Sequence, residues 1–227
     1  MRPIRVFSFA FLVLTGVASA GDVTVAVNGG KLVVQGSSGD DVITIDQAGL
    51  ANPKQFRVAP GTATTVNGNA SAQVFSGVSG DLVIDLAAGM NLLTLTALHA
   101  RGDVLLDAGA AGSLNAELLE STVDDDLRAS SSGADMTVSA TTTRIDGDVR
   151  VNGGSGIDQL VFPNLVLVKG DLKLDLGAGV DFVDVAGSII RGHAAVQSGP
   201  GADTIEFGHA TLERDLRLSN SGSSRRR

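Results

Sequence analysis

The chain contains no cysteine, no tryptophan and no tyrosine. Without cysteine it forms no disulfides, so its stability must come from burial and hydrogen bonding. Because sugar-binding clefts commonly stack aromatic rings on the sugar, the missing rings argue against a carbohydrate site. His99, His193 and His209 do not share a repeat position, which argues against zinc. The sequence also has no Gly-x-Ser-x-Gly elbow and no phosphate-binding loop, and these absences together predict a protein that is not an enzyme.

The N-terminal segment 1–20 is typical of a secretory signal peptide. Two arginines precede an apolar stretch over 6–17, and Ala18-Ser19-Ala20 offers a small-x-small cleavage site. The alternative is an N-terminal membrane anchor. No later stretch approaches the ~18 apolar residues of a membrane span. The sequence therefore predicts a secreted chain, extracellular or periplasmic, that starts near Gly21.

The predicted mature chain is acidic. Removing Arg2 and Arg5 takes the 17 basic residues to 15, against 25 acidic residues, for a formal charge of −10. Such a surface argues against partners that are nucleic acids or anionic membranes, and it is compatible with metal cations.

A Gly-Asp phrase followed by alternating apolar residues recurs along the chain, as in Gly80-Asp81-Leu82-Val83-Ile84. The repeat starts at Gly80, Gly102, Asp125, Gly147, Gly170, Gly192 and Arg214. Successive starts are 22 or 23 residues apart. Each unit offers three short apolar patches separated by glycine-rich or polar turns, and one unit cannot bury them alone.

Stacking the units buries these patches, with equivalent strands in parallel register about 4.8 Å apart. The repeat therefore predicts an all-β fold, a right-handed parallel β-helix (solenoid) of about 22 residues per coil with three short strands per coil. One predicted inward column is Leu82, Val104, Leu127, Val149, Leu172, Ala194 and Leu216. The next is Ile84, Leu106, Ala129, Val151, Leu174, Val196 and Leu218. The rival fold, a β-sandwich, has no reason to repeat columns at this step.

The predicted solenoid domain covers 21–218, with an irregular, loop-bearing coil at about 46–79 and a second irregular segment at Ala108–Asp124. The serine-, glycine- and arginine-rich tail 219–227 is predicted to be disordered. The irregular N-terminal coil is expected to cap one end against stacking, and end-to-end self-association is a candidate interaction.

A glycine-acid phrase occupies the second turn of several coils. Clear copies are Gly154-Ser155-Gly156-Ile157-Asp158, Gly177-Ala178-Gly179-Val180-Asp181 and Gly199-Pro200-Gly201-Ala202-Asp203. They resemble the calcium-binding nonapeptide of the bacterial RTX (hemolysin-type) family. The resemblance implies a Ca²⁺ edge, with carboxylates from Asp158, Asp181 and Asp203 and carbonyls from Gly154, Gly156, Gly177, Gly179, Gly199 and Gly201. The phrase occurs once per coil here, so one edge alone would carry ions.

The residues themselves leave two interpretations of this turn. Asp135, Asp158, Asp181 and Asp203 are spaced by 23, 23 and 22 residues, which predicts a single column of acids. Calcium between turns would relieve the repulsion of stacked carboxylates, since it prefers hard oxygen ligands. Alternatively, each aspartate points into water and caps its own turn by accepting backbone N–H groups.

Two further columns carry charge beside the first strand of each coil. The acidic column is Asp81, Asp103, Asp126, Asp148, Asp171 and Asp215, interrupted by His193. The basic column is Arg128, Arg150, Lys173 and Arg217, which point outward. This pattern favours a salt-bridged strand face. Its alternative is a surface for an anionic polysaccharide.

The sequence as a whole predicts an exported, non-catalytic β-solenoid that serves as a structural, cell-surface or extracellular module, with calcium as a candidate ligand. A polysaccharide-binding or carbohydrate-active β-helix is the first alternative, with its site on the basic column or the 46–69 loop. A fragment of a larger adhesin is the second.

Overall fold

The computed structural model describes residues 21–219 and 225–226. Over this part the chain is all-β, and no α-helix is formed. Accordingly, no helix long and apolar enough to cross a membrane is found there. The predicted signal peptide, 1–20, lies outside the described residues, as do 220–224 and 227 of the predicted tail.

Twenty-six strands are formed within the described residues. The N-terminal strands are β1 (Gly21–Asn28), β2 (Lys31–Gln35), β3 (Val42–Asp46), β4 (Gln55–Pro60), β5 (Thr64–Val66) and β6 (Gln73–Ser76). The first three coils are β7 (Leu82–Asp85), β8 (Met90–Thr96), β9 (His99–Ala100), β10 (Val104–Asp107), β11 (Ser113–Leu119), β12 (Thr122–Val123), β13 (Leu127–Ser130), β14 (Asp135–Thr141) and β15 (Arg144–Ile145). The next three are β16 (Val149–Asn152), β17 (Asp158–Asn164), β18 (Leu167–Val168), β19 (Leu172–Asp175), β20 (Phe182–Asp184), β21 (Ile189–Ile190), β22 (Ala194–Gln197), β23 (Thr204–Glu206) and β24 (Thr211–Leu212). The last strands are β25 (Leu216–Ser219) and β26 (Arg225–Arg226).

Equivalent strands of successive coils form three sheets along one axis. Sheet 1 runs in the order β25-β22-β19-β16-β13-β10-β7-β2-β1-β5, and sheet 2 in the order β26-β23-β20-β17-β14-β11-β8-β3-β4-β6. Sheet 3 contains β24-β21-β18-β15-β12-β9. From β7 onward all pairings between coils are parallel. The predicted β-solenoid with three strands per coil is therefore confirmed.

The predicted inward columns of sheet 1 are also confirmed. Leu82 pairs with Val104, which pairs with Leu127, and the register continues without a slip to Leu216. Because side chains alternate between the two faces of a strand, one residue in two enters the core. The buried aliphatic side chains of all three sheets form a single continuous core.

The N-terminal end is closed by strands that break the parallel pattern. β1 pairs antiparallel with β2, and β4 pairs antiparallel with both β3 and β6. The predicted loop-bearing coil contains three short strands, β4, β5 and β6, joined by turns, and Phe56 and Val58 of β4 are fully buried. These antiparallel strands cover the first coil, and the edges that they leave, β5 and β6, are short.

Two boundaries differ from the sequence prediction. The segment Ala108–Asp124 is an ordinary coil, because β11 pairs in parallel over its whole length with β8 and with β14. In the predicted disordered tail, Ser219 ends β25, and Arg225–Arg226 pairs with β23 as β26.

The corner between sheets 2 and 3 repeats a left-handed backbone conformation. The φ angle lies between 48° and 60° at Ala97, Glu120, Thr142, Leu165 and His209. Their spacing, in steps of 22 or 23 residues or a double step, places them at the same corner of their coils. Each of these coils therefore turns this corner by the same local geometry, whichever residue occupies it.

Candidate site at the glycine-acid corner

The glycine-acid phrases form the corner between sheets 1 and 2, where β16, β19 and β22 lead into β17, β20 and β23. Asp158, Asp181 and Asp203 stack in consecutive coils, as the adjoining register of Gln159 with Phe182 and of Phe182 with Thr204 requires. Their side chains enter the interior and are no more than 1% exposed. The interpretation in which these aspartates point into water is therefore wrong.

Asp135 does not belong to this column, so the predicted column of four aspartates is wrong at one position. The strand register pairs Asp158 with Met136, and Asp135 lies one place earlier on the exposed face. There its Oδ1 accepts the N–H of Ile157 at 2.8 Å. A slip of one residue moves a side chain to the other face of a strand. The buried column continues above Met136 through Leu114 and Asn91 to Asp41.

Backbone hydrogen bonds join the three buried aspartates from coil to coil. The N–H of Asp158 donates to Oδ1 of Asp181 at 2.9 Å, and the N–H of Asp181 donates to Oδ1 of Asp203 at 3.2 Å. Asp158 also caps its own turn, because its Oδ2 accepts the N–H of Gly154 at 3.2 Å. Across 21–219, the buried side-chain oxygens without a partner are Oδ1 of Asp158, Oδ2 of Asp181 and Oδ2 of Asp203.

This environment disfavours the charged form of the carboxyl groups. Burial, reinforced by the charge of Asp181, raises the pKa of Asp158 to about 7. Burial likewise raises the pKa of Asp181 to about 6, and the neighbouring Asp203 acts in the same direction. A buried carboxylate without a counter-charge takes up a proton or a cation. This corner is the part of the described chain where either one would bind.

Asn91 shows how a neutral side chain fits the same column. Its Oδ1 accepts the N–H of Asp41 at 3.0 Å, in the way that Asp181 accepts the N–H of Asp158. Its Nδ2 donates to the carbonyls of Leu86 at 3.1 Å and Ala88 at 3.3 Å. Backbone carbonyls at this corner can therefore receive a donor from the column.

The glycines of the phrase serve close stacking of the coils. A Cβ on Gly177, Gly179 or Gly201 would overlap the carbonyl oxygen of the glycine one coil earlier, namely Gly154, Gly156 or Gly179. A Cβ on Gly199 would likewise overlap the carbonyl oxygen of Gly177. These carbonyls face along the stack, and that of Gly154 accepts the N–H of Ala178 at 2.8 Å. The implied calcium ligands are thus divided: the three buried carboxylates suit a hard cation, whereas the carbonyls of Gly154, Gly156, Gly177 and Gly179 lie against the next coil.

No group of three or more histidine, aspartate or glutamate side chains is arranged for a metal ion in the described part of the chain. The three carboxylates lie in separate coils, so each layer supplies one charged side chain. Calcium prefers about 6–8 oxygen ligands. Of the ligand set implied by the family resemblance, the carboxylate oxygens Oδ1 of Asp158, Oδ2 of Asp181 and Oδ2 of Asp203 are buried and have no partner in the described residues.

The second acidic column forms a ladder on the outside of sheet 1. Five of its aspartates accept, through Oδ1, the backbone N–H of the residue at the same position in the next coil. The donors and acceptors are Asp103 to Asp81 (3.1 Å), Asp126 to Asp103 (3.0 Å), Asp148 to Asp126 (2.7 Å), Asp171 to Asp148 (2.8 Å) and His193 to Asp171 (2.8 Å). The repeated Gly-Asp phrase of the sequence therefore supplies a coil-to-coil hydrogen bond, which the spacing alone did not predict.

The basic column binds the free oxygens of this ladder. Arg150 contacts Asp126 at 2.8 Å and Asp148 at 2.7 Å, and Lys173 contacts Asp171 at 2.9 Å and Asp148 at 3.4 Å. Arg128 bridges Asp103 and Asp126 in the same way. The interpretation as a salt-bridged strand face is confirmed for Arg128, Arg150 and Lys173.

A shallow groove of about 970 Å³ follows the outer face of sheet 1. Its floor runs from Val83 and Leu105 through the paired basic side chains to Ala195, with Asp85 and Asp107 along one side. Val83 of β7 and Leu105 of β10, two outward-facing apolar side chains, thus lie in the groove.

No protein-family model, no curated protein and no solved structure matches this chain.

Proposed function

We propose that this chain is an exported, non-catalytic β-solenoid that serves as a structural module at the cell surface or in the extracellular space. The observation that carries the proposal is that the charged side chains of sheet 1 bond to one another and to the neighbouring coil. In the described coils, the aspartates of the ladder bond to the next coil, and Arg128, Arg150 and Lys173 bond to those aspartates. These side chains maintain a regular stack and do not converge on a reaction centre.

A solenoid suits such a role because each coil contacts only its neighbours. The length of the rod then scales with the number of coils, and its faces present side chains in fixed rows. The same property suits a segment of a larger adhesin, since further coils add without changing those already present.

The groove on sheet 1 favours a second candidate, a polysaccharide-binding surface centred on Arg150 and Lys173. The two functions differ in what the basic side chains do. In a structural module they stay paired with the aspartate ladder. In a polysaccharide receptor they exchange those partners for carboxylates of the glycan, which costs about as much Coulomb energy as it returns at an exposed site.

Titration with polygalacturonate at physiological salt discriminates between these candidates. We expect no saturable binding by the exported protein, whose N-terminal residue should be Gly21. Saturable binding that is lost in an Arg150→Ala/Lys173→Ala variant, and kept in a Lys54→Ala control, would overturn the structural proposal in favour of the receptor. Lys54 is a suitable control because it is exposed and lies in the turn before β4 at the N-terminal end.

Calcium is proposed as a stabilising ligand of the same module, at the column of Asp158, Asp181 and Asp203. Its support is the set of three buried carboxylate oxygens that have no partner in 21–219. A divalent cation near this column would offset the cost of keeping the carboxylates charged inside the protein. The proposal rests on the carboxylates alone, because the carbonyls of Gly154, Gly156, Gly177 and Gly179 lie against the next coil.

A further inference from the structure

Asp41, the first member of the buried column, is a carboxyl group enclosed at the N-terminal end of the rod. It is fully buried. Its Oδ2 accepts the N–H of Ser37 at 2.8 Å, and the hydroxyl of Ser37 donates to its Oδ1 at 3.3 Å. Burial raises the pKa of Asp41, and the charged groups that act on it, Asp40 and Asp22, are both negative. A carboxylate in such a place needs a positive partner to stay charged.

The column shows which way Oδ1 of this carboxyl faces. Oδ1 of Asp181 and Oδ1 of Asp203 each accept a backbone N–H from the coil before them. Oδ1 of Asn91 accepts the N–H of Asp41 in the same manner. In Asp41 the equivalent oxygen therefore faces the layer that precedes it, and there the neighbouring residue is Gly21.

Gly21, the first residue of β1, lies directly against this oxygen. It is buried, and a Cβ attached to it would overlap Oδ1 of Asp41 and come within 2.8 Å of the carbonyl oxygen of Asp40. Because Cβ and the nitrogen are bonded to the same Cα and lie about 2.5 Å apart, the carboxylate oxygen is also close to the nitrogen. That nitrogen donates to the carbonyl of Ala63 at 3.0 Å. Asp41 thus places a carboxylate beside the nitrogen of Gly21, with two carbonyls as further acceptors.

We infer that the α-ammonium group of Gly21, released by cleavage after Ala20, forms a buried ion pair with Asp41. Hydrolysis of this peptide bond consumes one water and leaves a carboxylate on Ala20 and an ammonium group on Gly21. The amide nitrogen has one hydrogen, which it donates to Ala63, whereas the ammonium group has three and a positive charge. The two additional hydrogens match Oδ1 of Asp41 and the carbonyl of Asp40. The inference rests on the proposed export of the chain, because the cleavage supplies the charge.

This ion pair couples removal of the leader to the stability of the N-terminal end. Gly21 belongs to β1, which pairs with β2 and β5, and Asp41 directly precedes β3 of sheet 2. A bond between the two residues therefore fastens sheet 1 to sheet 2 at this corner. A chain that keeps its leader holds the buried carboxyl there without a counter-charge, which is costly. The N-terminal end reaches its full stability only after processing.

Two chains that differ by one residue test the inference. One begins at Gly21 and the other retains Ala20 in front of it, each released from a fusion partner by a protease that leaves the stated N-terminus. The chain that begins at Gly21 is expected to melt about 5 °C higher at pH 7, an effect of the size of a buried ion pair in a chain of this length. In an Asp41→Asn background the two forms should melt within about 1 °C of each other. Asn91 accepts a backbone N–H in the same column, so asparagine suits this position.

Asp40→Asn is the matched control. This neighbouring carboxylate accepts the N–H of Met90 at 2.8 Å, so its replacement should leave the difference between the two forms unchanged. Acylation of the α-amine of Gly21 across a pH series, followed by mass spectrometry of the N-terminal peptide, gives a second measurement. The ion pair raises the pKa of this amine above its usual value of about 8, whereas burial without a partner lowers it.

Equal losses on retaining Ala20 in the wild-type and Asp41→Asn backgrounds would overturn the inference, as would an α-amine pKa below about 8 in the wild type. If Asp41→Asn does not fold, the pKa of the amine decides alone. The N-terminal sequence of the protein recovered outside the cytoplasm separates this inference from the proposed function. A chain that is not exported contradicts the proposed function, whereas an exported chain that starts elsewhere than at Gly21 contradicts only the inference.

Discussion

Raising the pH from 5 to 8 is expected to lower the free energy of unfolding by about 2–4 kcal/mol, the opposite of the usual behaviour of buried, ion-paired aspartates. The cause is the buried pair Asp158 and Asp181, whose pKa values in the folded protein are about 7 and about 6 against 3.8 when exposed. Between pH 3.8 and about 7 the folded state therefore binds more protons than the unfolded state. Stability is therefore greatest below pH 4 for these two groups, falls as the pH rises through 6 and 7, and is flat above.

The aspartates of the outer ladder do not cancel this effect. Hydrogen bonds from Lys31 and Lys173 lower the pKa values of Asp81 and Asp171, so the stability that these two carboxylates contribute is lost only as the pH falls below about 4. The window between pH 5 and pH 8 therefore reports on the inner column.

In an Asp158→Asn/Asp181→Asn variant, the free energy of unfolding is expected not to fall between pH 5 and pH 8. At pH 8 the variant should therefore be more stable than the wild type. Asn91 supports this expectation, because an amide in the same column finds both acceptors and donors. Urea unfolding across the pH series measures the slope, and Asp135→Asn is the matched control on the exposed face of the same turn. A wild-type stability that is constant from pH 5 to pH 8, or that rises with pH, would contradict this account of the column.

Calcium adds a second arm to the same experiment. If a cation binds beside the column, millimolar calcium should raise the melting temperature at pH 8, where the carboxyls are ionised, and have little effect at pH 5. An Asp158→Asn/Asp181→Asn/Asp203→Asn variant should not respond. Identical melts in calcium and in chelator at pH 8 would exclude calcium while leaving the proton effect in place.

The second large effect is expected at the stacked glycines. Gly177→Ala should destabilise the protein by about 3 kcal/mol or more, because the new Cβ would overlap the carbonyl oxygen of Gly154 and the coils would have to separate. Gly177 also has a positive φ of 75°, which by itself costs an alanine about 1 kcal/mol.

Gly68→Ala separates the two contributions. Gly68 has nearly the same φ, 72°, but a methyl group attached to its Cα would meet no atom within 4 Å. The Gly68→Ala substitution should lower the free energy of unfolding only by the cost of the positive φ, about 1 kcal/mol. Denaturant unfolding of both variants gives the comparison, and equal losses would show that the glycines at the corner serve the backbone conformation and not the stacking of coils.

The regular part of the fold could be predicted because the sequence repeats its inward residues. The apolar positions of sheet 1 recur at each step, so the columns that start at Leu82 and Ile84 follow from alternation and spacing alone. The capping strands at 46–79 could not be predicted in this way. They occur once, and their antiparallel pairing depends on contacts with the first coil. These contacts leave no repeated pattern in the sequence.

The error at Asp135 has a specific cause. The spacing of acids suggested a step of 23, but the inward residues of the adjoining strands, Val138 and Leu160, are 22 apart and fix the register. Those apolar residues were the available signal, since burial holds a strand in register more strongly than a turn residue does. The acid precedes the apolar residue in Asp135-Met136 and follows it in Ile157-Asp158, which is the same one-residue shift.

The spacing of the aspartates does not predict the different roles of the two columns. Asp148 and Asp158 both follow a turn that contains glycine, yet one bonds to the next coil on the outside and the other enters the core. Which oxygen meets which N–H depends on how the chain passes each corner. The sequence predicts where such corners lie but not the direction in which their carboxylates point.

The stacking of coils in register can be tested by crosslinking, because the chain contains no cysteine of its own. Thr137 and Gln159 are register partners in adjacent coils, and Phe182 occupies the same outward row one coil further on. Neighbouring coils bring Cα atoms to about 4.8 Å, within disulfide range, whereas two coils separate them by about 9.6 Å. We expect Thr137→Cys/Gln159→Cys to form an intramolecular disulfide rapidly and Thr137→Cys/Phe182→Cys to remain reduced. Rapid closure of the second pair, or failure of the first in a folded protein, would contradict the solenoid on which the account depends.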